Sequence, residues 1–184
     1  MIIFFISLVI RSFTINRPLS FHKETIISHI LNVNVNWVER GAFEFYFTPL
    51  VTKKNQGDKF IPNQSNANAS DQQGNHFYTS YGPFGFVLPY LFFKTFSIYP
   101  AVLPLQIFNC FLHLICCLLI YLIIRCFTSK TKKFYNDAAF IGFNIYLFSP
   151  ATLWYHSNTT PVDGYALLFL LFALYIFLII INNN

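Results

Sequence analysis

Two carboxylates stand at positions from which an acid could take part in chemistry. Glu24 follows His22 and Lys23 at the expected start of a helix, and Asp163 precedes Gly164 at the start of an apolar segment. A carboxylate so placed can act as a general base or bind a metal ion. It can equally stabilise the N-terminus of its helix through the macrodipole. The separation of the two acids in sequence does not show whether they converge, so both interpretations stay open.

A row of polar side chains runs along the most apolar segment of the chain. Gln106, Asn109 and His113 recur at i, i+3 and i+7, which places them on one face of a helix. Exposure of such a face to hydrocarbon would be costly. We therefore expect it to form hydrogen bonds with other helices, or else to line a cavity for a polar substrate or a lipid headgroup.

An aromatic-rich junction, residues 74–93, leads from polar into apolar sequence. Four rings lie in or just before its Gly-Pro-Phe-Gly motif: Phe77, Tyr78, Tyr81 and Phe84. Tyrosine favours the membrane–water interface because its ring is apolar and its hydroxyl stays hydrated. The junction is thus predicted to lie at that interface, where a lipid-linked substrate would be met.

Composition assigns the chain to the membrane class. Hydrophobic residues make up 55% of the sequence and charged residues only 10%, with a mean hydropathy of +0.49. Soluble domains carry about 25% charged residues. The formal net charge of +5 is dispersed along the chain and does not indicate a nucleic-acid partner. The four cysteines lack the spacing of a zinc site and are interpreted as apolar helix residues.

The apolar segments predict an all-α integral membrane protein with about four transmembrane helices. The first, residues 1–10, is short or truncated, because a spanning helix needs about 20 residues. The others form a transmembrane bundle in residues 99–184, at about 99–127, 137–155 and 164–181.

A large extramembrane loop, residues 11–98, separates the first span from the bundle, and juxtamembrane helices are predicted within it at about 21–40 and 83–96. The first of these carries apolar residues at spacings of three and four, namely Ile26, Ile30, Val33 and Trp37. It is expected to lie along the membrane surface and to end at Gly41. Residues 53–76, rich in Asn, Gln and Ser, are predicted to be an exposed, mobile loop.

Basic residues set the predicted orientation. Four of them follow the clearest span: Arg125, Lys130, Lys132 and Lys133. By the positive-inside rule, residues 128–136 are cytoplasmic. The loop 11–98 then lies on the outer side, and we expect a bacterial inner membrane with this loop in the periplasm.

The order of these elements resembles the N-terminal part of the GT-C glycosyltransferases, and most closely the protein-mannosyltransferase-like members that use polyprenyl- or dolichyl-phosphate sugars. In that family a Pro-Pro-Leu-Gly-type motif opens a juxtamembrane helix, and Tyr81-Gly82-Pro83-Phe84-Gly85 is similar to it. The family also carries an acid soon after the first span and another at the outer start of the fourth. Glu24 and Asp163 are similar in placement.

The resemblance implies an inverting sugar transfer from a lipid-phosphate-linked donor to an acceptor hydroxyl. Glu24 would be the general base, and Asp163 would orient it or bind a metal ion. A divalent cation or nearby basic groups would balance the leaving phosphate. The residues implied in substrate binding are Arg17, His22, Lys23, Tyr78, Tyr81 and Pro83. The implied partners are the lipid-linked sugar donor and membrane lipid.

Two hypotheses from other functional classes remain open. The Gln106/Asn109/His113 face would suit a transporter- or flippase-like bundle, although no inverted repeat is visible. A chain with four spans and a single large loop would also suit a non-catalytic membrane subunit. If the chain is an enzyme, its size predicts the front part of a longer one.

Overall fold

The computed structural model describes residues 2–16, 25–53, 68–80, 82–128, 135–158 and 162–183. Among them the chain is mostly helical, with seven α-helices and one short β-hairpin, so the all-α prediction holds except for the hairpin. The chain forms two compact units. The inserted unit comprises Pro18–Leu105, and the helical unit comprises Met1–Arg17 together with Gln106–Asn184.

Helix α2, Thr25–Arg40, forms much of the core of the inserted unit. Its apolar residues Ile27, Ile30, Val33 and Trp37 are all 1% exposed or less. Helix α3, Phe84–Thr95, packs against it. The helix ends at Gly41, which adopts a φ of 89° that most other residues disfavour. The apolar stripe that was expected to face the membrane is therefore used inside the protein.

The hairpin occupies part of the segment that was predicted to be a mobile loop. Strands β1, Asn68–Ser70, and β2, His76–Tyr78, pair antiparallel. In the connection, the Asp71 carboxylate accepts hydrogen bonds from the backbone N–H of Gln73 and Asn75 at 2.9 and 2.8 Å. The loop prediction is thus wrong for residues 68–70 and 76, which form strands, whereas residues 70–74 are exposed as predicted. One aspartate organises the turn between the strands; residues 54–67 lie outside the described residues.

The hairpin is joined to α2 through an arginine. Arg40 donates to the side-chain oxygen of Asn75 at 2.9 Å and to the backbone carbonyl of Thr52 at 3.1 Å. Leu50 forms a β-bridge with Phe77. The residues after α2 therefore run beside β2, and long-range hydrogen bonds fix both segments to the helix.

Two described helices are long and apolar enough to cross a membrane: Val102–Phe127, within α4, Val102–Thr128, and Tyr165–Asn182, within α7, Val162–Asn183. They correspond to the predicted spans at 99–127 and 164–181. Helix α1, Ile2–Ser12, has only 11 residues. The helix is followed by a turn in which the N–H groups of Thr14 and Ile15 both donate to the Arg11 carbonyl.

The remaining predicted span, 137–155, is not continuous. The structure has α5, Tyr135–Phe148, and α6, Pro150–Asn158, separated at Ser149. Pro150 has no backbone N–H and restricts the residue before it, so the first helix stops there. The Tyr146 carbonyl, which Pro150 leaves without a helical N–H donor, accepts instead from the Thr152 hydroxyl at 2.6 Å. Two membrane-capable helices are therefore found among the described residues, rather than four.

Gly142 lets α5 approach α4 closely, and its replacement gives a test of that packing. A Cβ at this position would overlap the Cδ1 atom of Ile124. Overpacking costs about 1–3 kcal/mol, which exceeds the gain of up to about 1 kcal/mol when Gly becomes Ala in a helix. We expect Gly142→Ala to lower the thermal midpoint. In an Ile124→Val background, which lacks Cδ1, the same change should raise it; a decrease in both backgrounds would contradict this packing.

Candidate functional site

The residues predicted to carry chemistry are only partly within the described chain. Five lie outside it: Arg17, His22, Lys23, Glu24 and Tyr81. Asp163 is the second residue of α7, at the start of that helix. Convergence of Glu24 and Asp163 therefore stays a prediction, and Tyr78 and Pro83 are the substrate-binding candidates whose surroundings can be described.

Tyr78 packs inside the inserted unit. It is half-buried, and its ring stacks on the His29 imidazole with centroids 4.9 Å apart and planes inclined by 23°. It also meets the edge of Phe86 at 6.3 Å. Burial lowers the pKa of His29, so the imidazole that stacks on Tyr78 is neutral at neutral pH. Tyr78 thus joins the hairpin to α2 and α3.

Pro83 begins helix α3. Its carbonyl accepts hydrogen bonds from the N–H groups of Phe86 and Val87 at 2.9 and 3.1 Å, while its own ring is exposed. Proline suits a first helical turn because that turn leaves N–H groups without intrahelical partners. The Gly-Pro-Phe-Gly motif therefore opens a helix, as the resemblance implied for its counterpart.

Trp37 is the centre of an aromatic cluster between α2 and α3. Its ring meets Phe47 and Tyr90 edge-on, both at 5.6 Å, and Phe86 at 6.3 Å. The indole N–H donates to the Thr48 carbonyl at 3.1 Å. Phe47 reaches this position from a backbone with φ of 56°, so the loop after α2 accepts a strained conformation to complete the cluster.

A groove of about 420 Å³ lies beside this cluster. Its floor is formed by the buried rings of Trp37, Tyr90 and Phe93, which are 0–3% exposed. The rest of its lining is Val38, Gly41, Lys94, Ser97, Ile98 and Tyr99. The volume falls within the range of about 300–1,000 Å³ that is usual for small-molecule sites.

Two polar groups stand at the rim of the groove. The Tyr99 hydroxyl donates to Glu39 at 2.8 Å, and this hydrogen bond raises the pKa of Tyr99. The Lys94 ammonium donates to the Tyr90 hydroxyl at 3.3 Å and faces the Phe43 ring at 5.7 Å. The rim therefore combines an exposed cation with an acid that already accepts a hydrogen bond.

The helical unit contains a buried polar cluster that includes the face predicted from sequence. Gln106, Asn109 and His113 are 1%, 3% and 0% exposed. His113 Nδ1 is hydrogen-bonded to the Arg11 guanidinium, and Gln106 accepts from the Asn16 N–H at 2.8 Å. The expectation of hydrogen bonds with other helices is thus confirmed for His113, whereas Gln106 bonds to the turn that follows α1.

Arg11 carries the formal charge of this cluster. It is 2% exposed and also donates to the Leu153 carbonyl at 3.1 Å. A guanidinium has donors only, so His113 Nδ1 must accept, and the ring proton is assigned to Nε2. The His113 ring also packs against Tyr146, with centroids 5.0 Å apart. One cation is therefore held between α1, α4 and α6 by a neutral imidazole and a backbone carbonyl.

Sequence reasoning did not single out Arg11. Its signal was present, since it is the first charged residue after ten residues without charge. It was interpreted only as the end of an apolar segment. Its partner, His113, lies 102 positions away, and neither spacing nor composition could pair the two.

No three His, Cys, Asp or Glu side chains in the described ranges are grouped so as to hold a metal ion. Comparison of the chain with protein-family models, curated proteins and solved structures finds no match.

Proposed function

We propose that the chain is the front part of an integral membrane glycosyltransferase. It transfers a sugar from a lipid-phosphate-linked donor to an acceptor hydroxyl on the outer face of a bacterial inner membrane. One observation carries the proposal: residues 18–105 form a compact unit inserted between two parts of one helical unit. This is the arrangement expected of an enzyme with an ordered outer loop after its first span.

Two further features support the proposal. The Gly-Pro-Phe-Gly motif opens α3, as in the glycosyltransferases that the sequence resembles. Helices α4 and α7 each contain a segment long and apolar enough to cross a membrane, which favours a location within the bilayer. The inserted unit is then periplasmic, and residues 128–136 are cytoplasmic.

In this mechanism Glu24 takes the proton of the acceptor hydroxyl as its oxygen attacks the anomeric carbon. The bond from that carbon to the polyprenyl phosphate breaks, and the phosphate leaves with the electron pair. Arg17 and Lys23 balance the charge that develops on the phosphate. Asp163 orients the base or binds a divalent cation. His22, Tyr78, Tyr81 and Pro83 contact the substrates.

The test is Glu24→Gln, which keeps the shape of the side chain and removes the base. General-base catalysis contributes about 100-fold or more, so transfer of labelled sugar in membranes that contain the protein should fall by about that factor. Glu44→Gln, an exposed acid of the inserted unit, is the matched control and should leave transfer unchanged. Equal transfer by both variants, at equal amounts in the membrane, would remove Glu24 as the base.

A transporter- or flippase-like bundle is the second candidate, and the buried Arg11–His113 pair favours it. A cation inside apolar helices is costly and is often retained for an anionic cargo. Under this alternative, His113→Leu abolishes uptake or flipping of an anionic solute while Glu24→Gln does not. Under the glycosyltransferase proposal, Glu24→Gln lowers sugar transfer more than His113→Leu does.

A further inference from the structure

We propose that the groove between α2 and α3 binds one anionic phospholipid of the surrounding bilayer. Its acyl chain lies against Val38, Ile98 and Tyr99, and its phosphate contacts Lys94. This inference rests on the membrane location proposed above and not on sugar transfer. It assigns a ligand to a site that the proposed catalytic residues do not use.

The position of the groove along the chain indicates that it opens near the bilayer surface. Ile98 and Tyr99 line it, and α4 begins at Val102. Four residues span at most about 14 Å, so the rim lies within that distance of the first residue of a membrane-capable helix. A bilayer has headgroup layers of several ångströms on each side of its hydrocarbon core. Phospholipid is therefore the amphiphile present at this level.

The lining of the groove fits an acyl chain. Its floor is aromatic and buried, whereas Val38, Ile98 and Tyr99 at the rim are 41%, 37% and 58% exposed. Phe96, immediately before this rim segment, is 64% exposed. Large exposed apolar side chains grouped in this way mark contacts with lipid or with another apolar partner. An acyl chain in the groove would cover the apolar surface that Val38, Ile98 and Tyr99 expose.

Lys94 supplies the charge that a phosphate requires. It is an exposed residue in the last turn of α3, and its described contacts are with Tyr90 and Phe43, both aromatic, rather than with a carboxylate. An ammonium has three donors, and one of them is directed at the Tyr90 hydroxyl. Two acids flank the groove: Glu39 accepts from Tyr99, and the Glu44 side chain lies against Gly41. Neither of them is among the lining residues, of which Lys94 is the charged one, so the lining favours an anionic headgroup over a cationic one.

Tryptophan fluorescence provides a direct test, because the chain has two tryptophans, Trp37 and Trp154. In a Trp154→Phe background, Trp37 alone reports on the groove. The full chain is reconstituted in phosphatidylcholine vesicles that contain a minor fraction of brominated phosphatidylglycerol or brominated phosphatidylcholine. Bromine quenches an indole only at short range. We expect half-maximal quenching at about fivefold less phosphatidylglycerol, the effect of one basic residue at an anionic lipid surface.

Two pairs of variants test the head and chain contacts separately. Lys94→Gln should remove the preference for phosphatidylglycerol, whereas Lys53→Gln, which removes an exposed lysine of the same unit outside the groove lining, should keep it. Val38→Phe should fill the groove and reduce quenching by both lipids. Leu91→Phe adds the same ring to an exposed position of α3 outside the lining and should not.

The possible outcomes separate this inference from the proposed function. Quenching without lipid preference, or a preference that survives Lys94→Gln, overturns the phosphate contact. If the protein floats with vesicles but Trp37 is not quenched, the groove is not a lipid site, and the membrane location still stands. A chain that does not associate with vesicles overturns both. Loss or retention of sugar transfer in the Glu24→Gln variant has no bearing on any of these readings.

Discussion

Replacing Trp37 by alanine is expected to destabilise the inserted unit by about 3–5 kcal/mol, the usual cost of removing a large buried aromatic side chain. Trp37 is 0% exposed and meets three aromatic rings. The floor of the groove and the seam between α2 and α3 depend on the same side chain. Loss of the ring leaves a cavity that helices on both sides cannot easily close.

Thermal unfolding followed by circular dichroism, together with limited proteolysis of residues 18–105, measures the effect. Trp37→Phe should cost much less, about 1 kcal/mol, because it keeps a ring and loses mainly the hydrogen bond to Thr48. Tyr46→Ala is the matched control, since that side chain is 91% exposed. If Trp37→Ala and Tyr46→Ala unfold at the same temperature, the cluster is not the core of the unit.

Replacing His113 by leucine is expected to destabilise the helical unit by about 2–3 kcal/mol. The change removes a hydrogen bond to a charged group and leaves the Arg11 guanidinium with fewer partners inside the protein. Arg11→Met should cost less, because it leaves a neutral imidazole rather than a charge. The double variant should be more stable than His113→Leu alone, since exchanging both partners for apolar groups is often nearly neutral.

A double-mutant cycle measures this coupling directly. Trp154 follows Leu153, the residue whose carbonyl accepts from Arg11. Its fluorescence in a Trp37→Phe background therefore reports unfolding of the helical unit. Asn144→Leu, a polar-to-apolar change on α5, is the control and should have a small effect, because its amide donates to Phe140 of its own helix. Strict additivity of Arg11→Met and His113→Leu would contradict the pairing.

Helix α2 shows how far local sequence predicts this fold. The spacing of Ile30, Val33 and Trp37 predicted the apolar stripe that is buried, and Gly41 predicted the end of the helix. These features are local, because each depends on residues within one or two turns. Helix α3, which packs against the stripe, begins only at Phe84, so the choice between lipid and α3 as its partner was not available from periodicity.

The polar side of the same helix was harder to interpret. Asn36 is fully buried and donates to the Leu50 carbonyl at 2.8 Å, and Asn32 donates to the Val51 carbonyl at 2.8 Å. Apolar periodicity does not assign a partner to these asparagines. Their amides instead satisfy the backbone of the segment that pairs with β2. An asparagine that binds a distant carbonyl has no local signature, so this side of α2 could not be assigned.

The proposed site was predicted unevenly for the same reason. Pro83 acts locally, and the helix that it was expected to open is present as α3. Tyr78 was expected at an interface, yet its ring stacks on His29, which lies 49 positions earlier in the chain. The break before Pro150 was available from sequence, because proline disfavours a continuous helix at that point, but the surrounding apolar run suggested one span.

The helical unit is formed by two parts of the chain, one before and one after the inserted unit in sequence. This arrangement has a consequence for biosynthesis. Arg11 leaves the ribosome before its partner His113, which follows 102 residues later. At about 5–20 residues per second, translation separates the two by about 5–20 s. During that interval Arg11 lacks the His113 partner that it has in the folded protein. The contact between α1 and α4 can therefore form only after residues 18–105 have been synthesised.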